Sequence, residues 1–220
     1  MTRRHFSIIP AAGKSARMGT QKLLLPWPRV NQQGKLDANW TILDQVLSAW
    51  ETSRTDEIVI VLRKPDRDSP PETHQRLLEI CQKYRVHTLA VGAPPDMKAS
   101  VLEGWRWLGK RFQPVAEEHC FVSTADLPGL NPSVINRMIL EGDPRRVTVP
   151  WFGGKRGHPA LFPWNLLKEV EFLPPDQGIN QLVNCADTLR IQFPQSEHFA
   201  DVDTIEDYDE LLKRMRQISD

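Results

Sequence analysis

Two kinds of apolar pattern alternate along this chain, and that alternation restricts the folds open to it. Residues 6–9 form a short apolar run that ends at a glycine-bearing loop, and residues 58–62 form a continuous one, as expected of a strand covered on both faces. Between them, Ile42, Leu43, Val46, Leu47 and Trp50 recur at helical spacing behind Thr41, with Asp44 placed as its capping-box partner. Leu77, Leu78, Cys81 and Tyr84 mark a second helical face, and Val101, Leu102, Trp105 and Leu108 a third, with a strand over residues 86–91 between them. Residues 120–122 read as a core strand running to Asp126. Asn131 and Pro132 read as the N-cap and first position of a helix carrying Val134, Ile135, Met138 and Ile139. Residues 147–152 and 159–162 flank Gly153-Gly154 like the arms of a hairpin. Leu189, Ile191 and Phe193 alternate along a later strand. A last helix, capped by Thr204 with Asp207, turns Tyr208, Leu211, Leu212 and Met215 inward. Strand–helix alternation of this kind predicts an α/β fold, a three-layer α/β/α sandwich around a mainly parallel sheet. Residues 26–39, 66–72 and the pair Pro94-Pro95 read as irregular, the first as an insertion.

The 220 residues fit a single domain spanning 1–220. Lysine plus arginine equal aspartate plus glutamate at 28 each, so no global charge draws the chain to nucleic acid or a membrane surface, and any anion site must be local. Cys81, Cys120 and Cys185 are scattered, which suits buried thiols in a reducing compartment better than a disulfide framework or a metal site. The N-terminal apolar stretch, broken by Pro10, is too short for a secretory signal, and no window approaches the ~18 apolar residues of a membrane span. The expected location is the cytoplasm.

The most informative segment is the loop after the first strand, Ala11-Ala12-Gly13-Lys14-Ser15-Ala16-Arg17-Met18-Gly19-Thr20-Gln21-Lys22. Small residues let the backbone approach a ligand, and successive N–H groups in such a turn form an anion-binding concavity. Arg17 offers a fork of donors and Lys22 a compact charge, an appropriate set for a triphosphate. The loop is not a Walker A motif, since Gly19 is followed by Thr20, and there is no G-x-G-x-x-G to support a dinucleotide fold. From the loop alone, a plain strand-to-helix turn with surface cations stays open.

The order of the motifs carries a resemblance. The loop, continued by Leu23-Leu24, resembles the Ala-Ala-Gly-x-Ser-x-Arg-Met-Gly-x-x-Lys-Leu-Leu signature of the MobA-like nucleotidyltransferases, nearest their molybdenum cofactor cytidylyl branch. Further along, residues 97–104 resemble its Gly-Met-Ser-x-Ser-Leu-x-x-Gly segment, Asp126-Leu127-Pro128 its Asp-x-Pro, and residues 157–162 its Gly-His-Pro-x-Leu-Phe. Asp176-Gln177-Gly178 resembles Gly-Asp-x-Gly-x-Arg, and residues 201–207 resemble Asp-Ile-Asp-Thr-Pro-Glu-Asp. The chain departs from the pattern at Pro175, at Asn180 where the family usually has arginine, and at Asp96 and Lys98.

The resemblance implies a nucleotidyltransferase (Rossmann-like) architecture and transfer of CMP from CTP to a phosphorylated acceptor, molybdopterin being the acceptor of that branch, for delivery to a recipient molybdoenzyme. Ala11, Ala12, Gly13, Lys14, Ser15, Arg17, Lys22 and Ser100 would bind the nucleotide, with Arg17, Lys22 and Asp126 catalytic. Asp126 and Asp203 would hold Mg²⁺, or Mn²⁺ in its place. His158 and Asp176 would serve the acceptor. Asp201 stands equally for a second carboxylate behind Asp203 or a turn residue, His158 for an acceptor-site or loop-ordering residue, and Ser100 for a nucleotide contact or a first-turn helix residue. Ala12 favours CTP over GTP, because guanylyl relatives usually carry glycine there. Two rivals stay beside this reading: another enzyme of the same fold, such as a methylerythritol cytidylyltransferase, and a non-catalytic nucleotide-binding module serving a molybdoenzyme.

Overall fold

In a computed structural model, which describes residues 3–13, 18–29, 37, 39–67, 69–185, 187–194 and 197–219, the strands are β1 (His5–Ala11), β2 (Glu57–Arg63), β3 (His87–Val91), β4 (His119–Val122), β5 (Val147–Phe152), β6 (Lys155–Arg156), β7 (Ala160–Pro163) and β8 (Thr188–Gln192). The helices are α1 (Ile42–Glu51), α2 (Pro71–Cys81), α3 (Met97–Phe112), α4 (Pro132–Glu141), α5 (Trp164–Leu167), α6 (Asn180–Cys185) and α7 (Ile205–Ser219). One mixed, mainly parallel sheet runs in the order β3-β2-β1-β4-β7-β5-β6, with β8 paired to β5. The first four are mutually parallel. β7 runs antiparallel to both β4 and β5, so β5 and its parallel partner β8 point the same way as β1 and β4.

Period-two alternation sorts the side chains of the central strands between two layers. Ile9, Ile58, Ile60, Leu62 and Phe121 pack on α1, α2, α4 and α7. Phe6, Ile8, Val59, Val61, Cys120 and Val122 pack on α3, α5 and α6. This is the expected three-layer arrangement. The caps follow the sequence: Thr41 accepts from the Asp44 N–H while the Asp44 carboxylate accepts from the Thr41 N–H, and Asn131 accepts from the Ser133 N–H ahead of Pro132. Asp44 is fully buried and is also met by Lys83 Nζ at 3.1 Å and Tyr84 Oη at 3.0 Å, so one carboxylate ties the start of α1 to the turn that follows α2.

Some expectations need correction. The irregular stretch assigned to 66–72 ends at Pro70, because Pro71 takes the first position of α2 and Glu72 its first turn. Tyr84 lies beyond that helix. The short α5 and α6, and the 3-10 turn Lys168–Phe172, lie where no helix was expected. Cys81 and Cys120 are buried, as expected; the Cys185 and Met215 side chains lie outside the described residues, as do most of the insertion and Lys14, Ser15 and Arg17.

α3 approaches β1 closely at Gly104, where an added Cβ would stand 2.7 Å from Ile8 Cγ2 and 3.3 Å from Val61 Cγ2. Gly104→Ala is expected to cost about 1–3 kcal/mol by overpacking, despite alanine's better helix propensity. Equilibrium urea denaturation checks this; a variant as stable as the parent would show that α3 can slide away from the sheet freely.

Candidate active site

The carboxyl ends of β1, β2, β3 and β4 line up along one edge of the sheet. β1 is the point at which successive strands turn to opposite sides, β2 and β3 on one flank and β4 on the other. Open α/β sheets bind ligands in the crevice at such a point. Here the crevice is a cleft of about 670 Å³, a size suited to a nucleotide. Ala11, Ala12 and Gly13 supply its floor from the end of β1, and Gly19 holds a left-handed φ of +64°, which glycine adopts without a steric penalty. Ser100, 2% exposed, faces the cleft from the first turn of α3, whose N-cap Asp96 accepts from the Ala99 N–H at 2.8 Å. The Asp96 that departs from the family pattern thus caps a helix.

Three chain segments meet at the other end of the cleft. Lys22 opens a 3-10 turn, Lys22–Leu24, anchored by buried Leu23. Asp126 follows β4. The extended segment 201–203 is pinned by the fully buried Val202, whose N–H donates to the Asp126 carbonyl at 3.1 Å. That bond places Asp203 beside Asp126. Lys22 Nζ then donates to Asp126 Oδ2, to the Val202 carbonyl at 2.8 Å and to Asp203 Oδ1 at 3.0 Å. Burial alone would lower the Lys22 pKa; Asp126 first, and then Asp203, outweigh it and hold the ammonium above its ordinary value. Asp207 caps the following helix by accepting from the Asp203 and Thr204 N–H groups, which leaves the Asp203 carboxylate to the cleft.

Asp126 Oδ1 is buried and has no hydrogen-bond partner among the described residues. A buried carboxylate oxygen without a donor is costly, and a cation satisfies it. Among the described residues no cluster of three or more acidic, histidine or cysteine side chains is arranged as a metal cage. Two carboxylates at an open cleft suit Mg²⁺ or Mn²⁺, which take one or two carboxylates and fill their remaining positions with water and phosphate oxygens. Asp201, two residues before Asp203, is open to solvent, yet protein fills most of its surroundings. That partial desolvation, followed by the Asp126 and Asp203 carboxylates, raises its pKa to about 7.

Of the residues expected from sequence, Ala11, Ala12, Gly13, Lys22, Ser100, Asp126 and Asp203 line this one cleft. His158 stands just before β7 and does not line it. Burial lowers its pKa, with the Asp126 charge opposing and Arg156 assisting. Asp176 is exposed on a turn outside the cleft, a turn held to α3 by Lys98 Nζ, which donates to the Pro174 carbonyl at 2.7 Å. Among the cleft residues that sequence reasoning did not assign are Arg63 and Thr124. Arg63, at the end of β2, is held by the Asp66 carboxylate, and Thr124 lies two residues before Asp126 with its Oγ1 buried and unpartnered among the described residues. Both sit at or just past strand ends on the binding edge, and that position was the available signal.

The fold, the binding edge and the cation–carboxylate cluster together define a nucleotide-handling α/β protein. The chain matches the MobA-like NTP transferase domain over residues 7–192 and belongs to that family of nucleotidyltransferases. It is 27% identical over 214 residues to the molybdenum cofactor cytidylyltransferase of Escherichia coli K12, covering 96% of this chain and 97% of that one. It is 26% identical over 201 residues to a probable molybdenum cofactor guanylyltransferase of Mycobacterium avium strain 104, covering 90% and 89%. Among solved structures it is similar to that of Rv0371C from Mycobacterium tuberculosis H37Rv in complex with manganese, with a TM-score of 0.72, 19% identity and coverage of 96% and 99%.

Proposed function

We propose that this protein is a single-domain, metal-dependent cytidylyltransferase. It transfers CMP from CTP to the phosphate of an acceptor and releases pyrophosphate, with molybdopterin as the acceptor and a molybdoenzyme as the eventual recipient. The observation that carries this reading is the convergence of Lys22, Asp126 and Asp203 beside the Ala11–Gly13 floor. Asp126 and Asp203 would hold a divalent ion, and a manganese complex of a protein of the same fold supports such a group. When bound, that ion supplies charge neutralisation on the phosphates. Lys22 adds a positive charge on the same side, and the backbone N–H groups at the loop orient the triphosphate. An acceptor phosphate oxygen attacks the α-phosphorus of CTP; the bond from that phosphorus to the bridging oxygen breaks, and pyrophosphate leaves with the electron pair. Arg17, Lys14 and Ser15 belong to the same loop by resemblance. Buried thiols fit a reducing cytoplasm, and among the described residues no helix is long and apolar enough to cross a membrane.

Ala12 favours CTP. It is 4% exposed and its methyl group stands in the wall of the cleft, where a large purine meets it before a small pyrimidine does. One methyl group in a pocket is worth about 10–200-fold in discrimination. Pyrophosphate release with Mg²⁺, CTP and a panel of phosphorylated acceptors tests the reaction. A CTP–GTP competition at equal concentration, repeated on Ala12→Gly, tests the base. A GTP preference in the parent would move the protein to the guanylyl branch, the reading that the mycobacterial relative favours.

A further inference from the structure

The strand reversal at β7 returns β5 to the direction of β1, so the end of β5 lies on the same sheet edge as Asp126. It is two strands away from β4, roughly 10 Å at the usual inter-strand spacing. Trp151 and Arg156 oppose each other across the β5–β6 hairpin. Val149 and Arg190 are paired between β5 and β8, so Trp151, Arg156 and Arg190 share one face, the face on which α6 packs. Arg156 Nη1 donates to Asn184 Oδ1 at 3.0 Å and Nη2 to Asn180 Oδ1 at 3.1 Å. Arg190 lies over the Trp151 ring, 4.1 Å from its centroid. Among the described residues neither guanidinium has a carboxylate within ion-pair distance.

Two guanidinium groups without a counter-carboxylate differ from the arginines elsewhere that meet glutamate or aspartate, such as Arg4, Arg106 and Arg137. With both asparagine oxygens turned to Arg156, their amide NH₂ groups add donors to a cluster made almost wholly of donors. That chemistry selects an oxyanion, and arginine's planar fork fits phosphate. His158 lies two residues beyond Arg156, just before β7, the strand that separates β4 from β5.

We propose that Arg156, seated on Asn180 and Asn184 and flanked across Trp151 by Arg190, is the anion-binding end of the acceptor site and receives a phosphate monoester. The nucleotide then occupies the β1–β4 half of the edge and the acceptor reaches it from the β7–β5 half. This assignment rests on the nucleotidyl-transfer reading above.

The test titrates the full-length protein with phenyl phosphate, read by the NMR shifts of the arginine Nε–Hε groups, with CTP binding measured in parallel. Arg156→Gln is expected to weaken phenyl phosphate binding by about tenfold or more while CTP affinity holds. Asn184→Asp separates charge from scaffolding. It gives Arg156 a carboxylate partner and keeps the hairpin tied to α6, so phosphate binding is expected to fall by about tenfold with no loss of thermal stability. Parental phosphate affinity in both variants, in a parent that binds CTP, overturns the acceptor site alone. Failure of the parent to bind CTP overturns the reading on which it rests.

Discussion

Replacing Asp126 by asparagine is expected to leave a folded protein whose pyrophosphate release falls by about a hundred- to a thousandfold. The carboxamide keeps the shape of the side chain and removes its charge. Lys22 retains the Val202 carbonyl and Asp203, so the ammonium is not stranded and the cost to folding is small. The cost to chemistry is large, because the site then offers a divalent ion one carboxylate, and metal stabilisation of phosphate charge is worth several kcal/mol in the transition state. Steady-state turnover across a Mg²⁺ titration, with a thermal melt as the control for folding, reads both effects. Parental turnover in the folded variant would remove Asp126 from the mechanism. A variant restored by high Mg²⁺ would show that the carboxylate serves affinity for the ion alone.

The second large effect is on stability and lies away from the cleft. His119 is 1% exposed at the start of β4, stacked on His5 with ring centroids 5.5 Å apart. Its Nε2 stands 3.3 Å from the Asp143 carbonyl. Burial, and then the neighbouring His5, lowers its pKa from 6.5 to about 4. Above pH 6.5 neither folded nor unfolded chain binds the proton, and stability is at its full value. Between 6.5 and 4 the unfolded chain takes up a proton that the folded one refuses, so stability falls with pH; below 4 this group adds no further loss. Over that window the loss is about 3 kcal/mol from His119, and the lowered pKa of buried His5 acts in the same direction. Urea denaturation at intervals from pH 7.5 to 4 measures the slope. His119→Phe, which keeps a ring against His5, should flatten it; an unchanged slope would assign the acid sensitivity elsewhere.

Local signals in the sequence located most helices and the strand ends. Thr41 with Asp44, Asn131 with Ser133 across Pro132, and Thr204 with Asp207 are short-range motifs whose hydrogen bonds close within three residues, so the residue types alone reveal them. Ala11–Gly13 and Asp126 were legible because Ala11 closes the apolar β1 and Asp126 follows the apolar β4 on the binding edge. The Lys22 clasp was not, since its two carboxylates lie 104 and 181 residues along the chain and only the folded sheet brings them together. The reversal at β7 was also hidden. Four residues of strand carry no mark of their direction, and Gly153-Gly154 announced only a hairpin. α5 and α6, at four and six residues, are too short for helical periodicity to be distinguished from chance. Asp176 does not line the cleft, and the short motif around it carried no sign of that. Its charged residue lies on an exposed turn, while the guanidinium that lacks a carboxylate partner among the described residues comes from Arg156 on another strand.

The reversed strand also bears on how such a protein can diversify. β1 to β4 are joined through helical crossovers packed on both faces, and a change of length there would disturb several layers at once. The arm between Gly153 and Arg156 is joined to the rest by short antiparallel pairing and by side chains on α6, and Gly153 and Gly154, at φ +50° and +80°, have open space around them. Insertions and deletions in that arm therefore leave the β1–β4 hydrogen-bond ladder untouched. Under the acceptor assignment proposed above, remodelling this arm changes the recipient molecule and leaves the β1–β4 half of the edge intact.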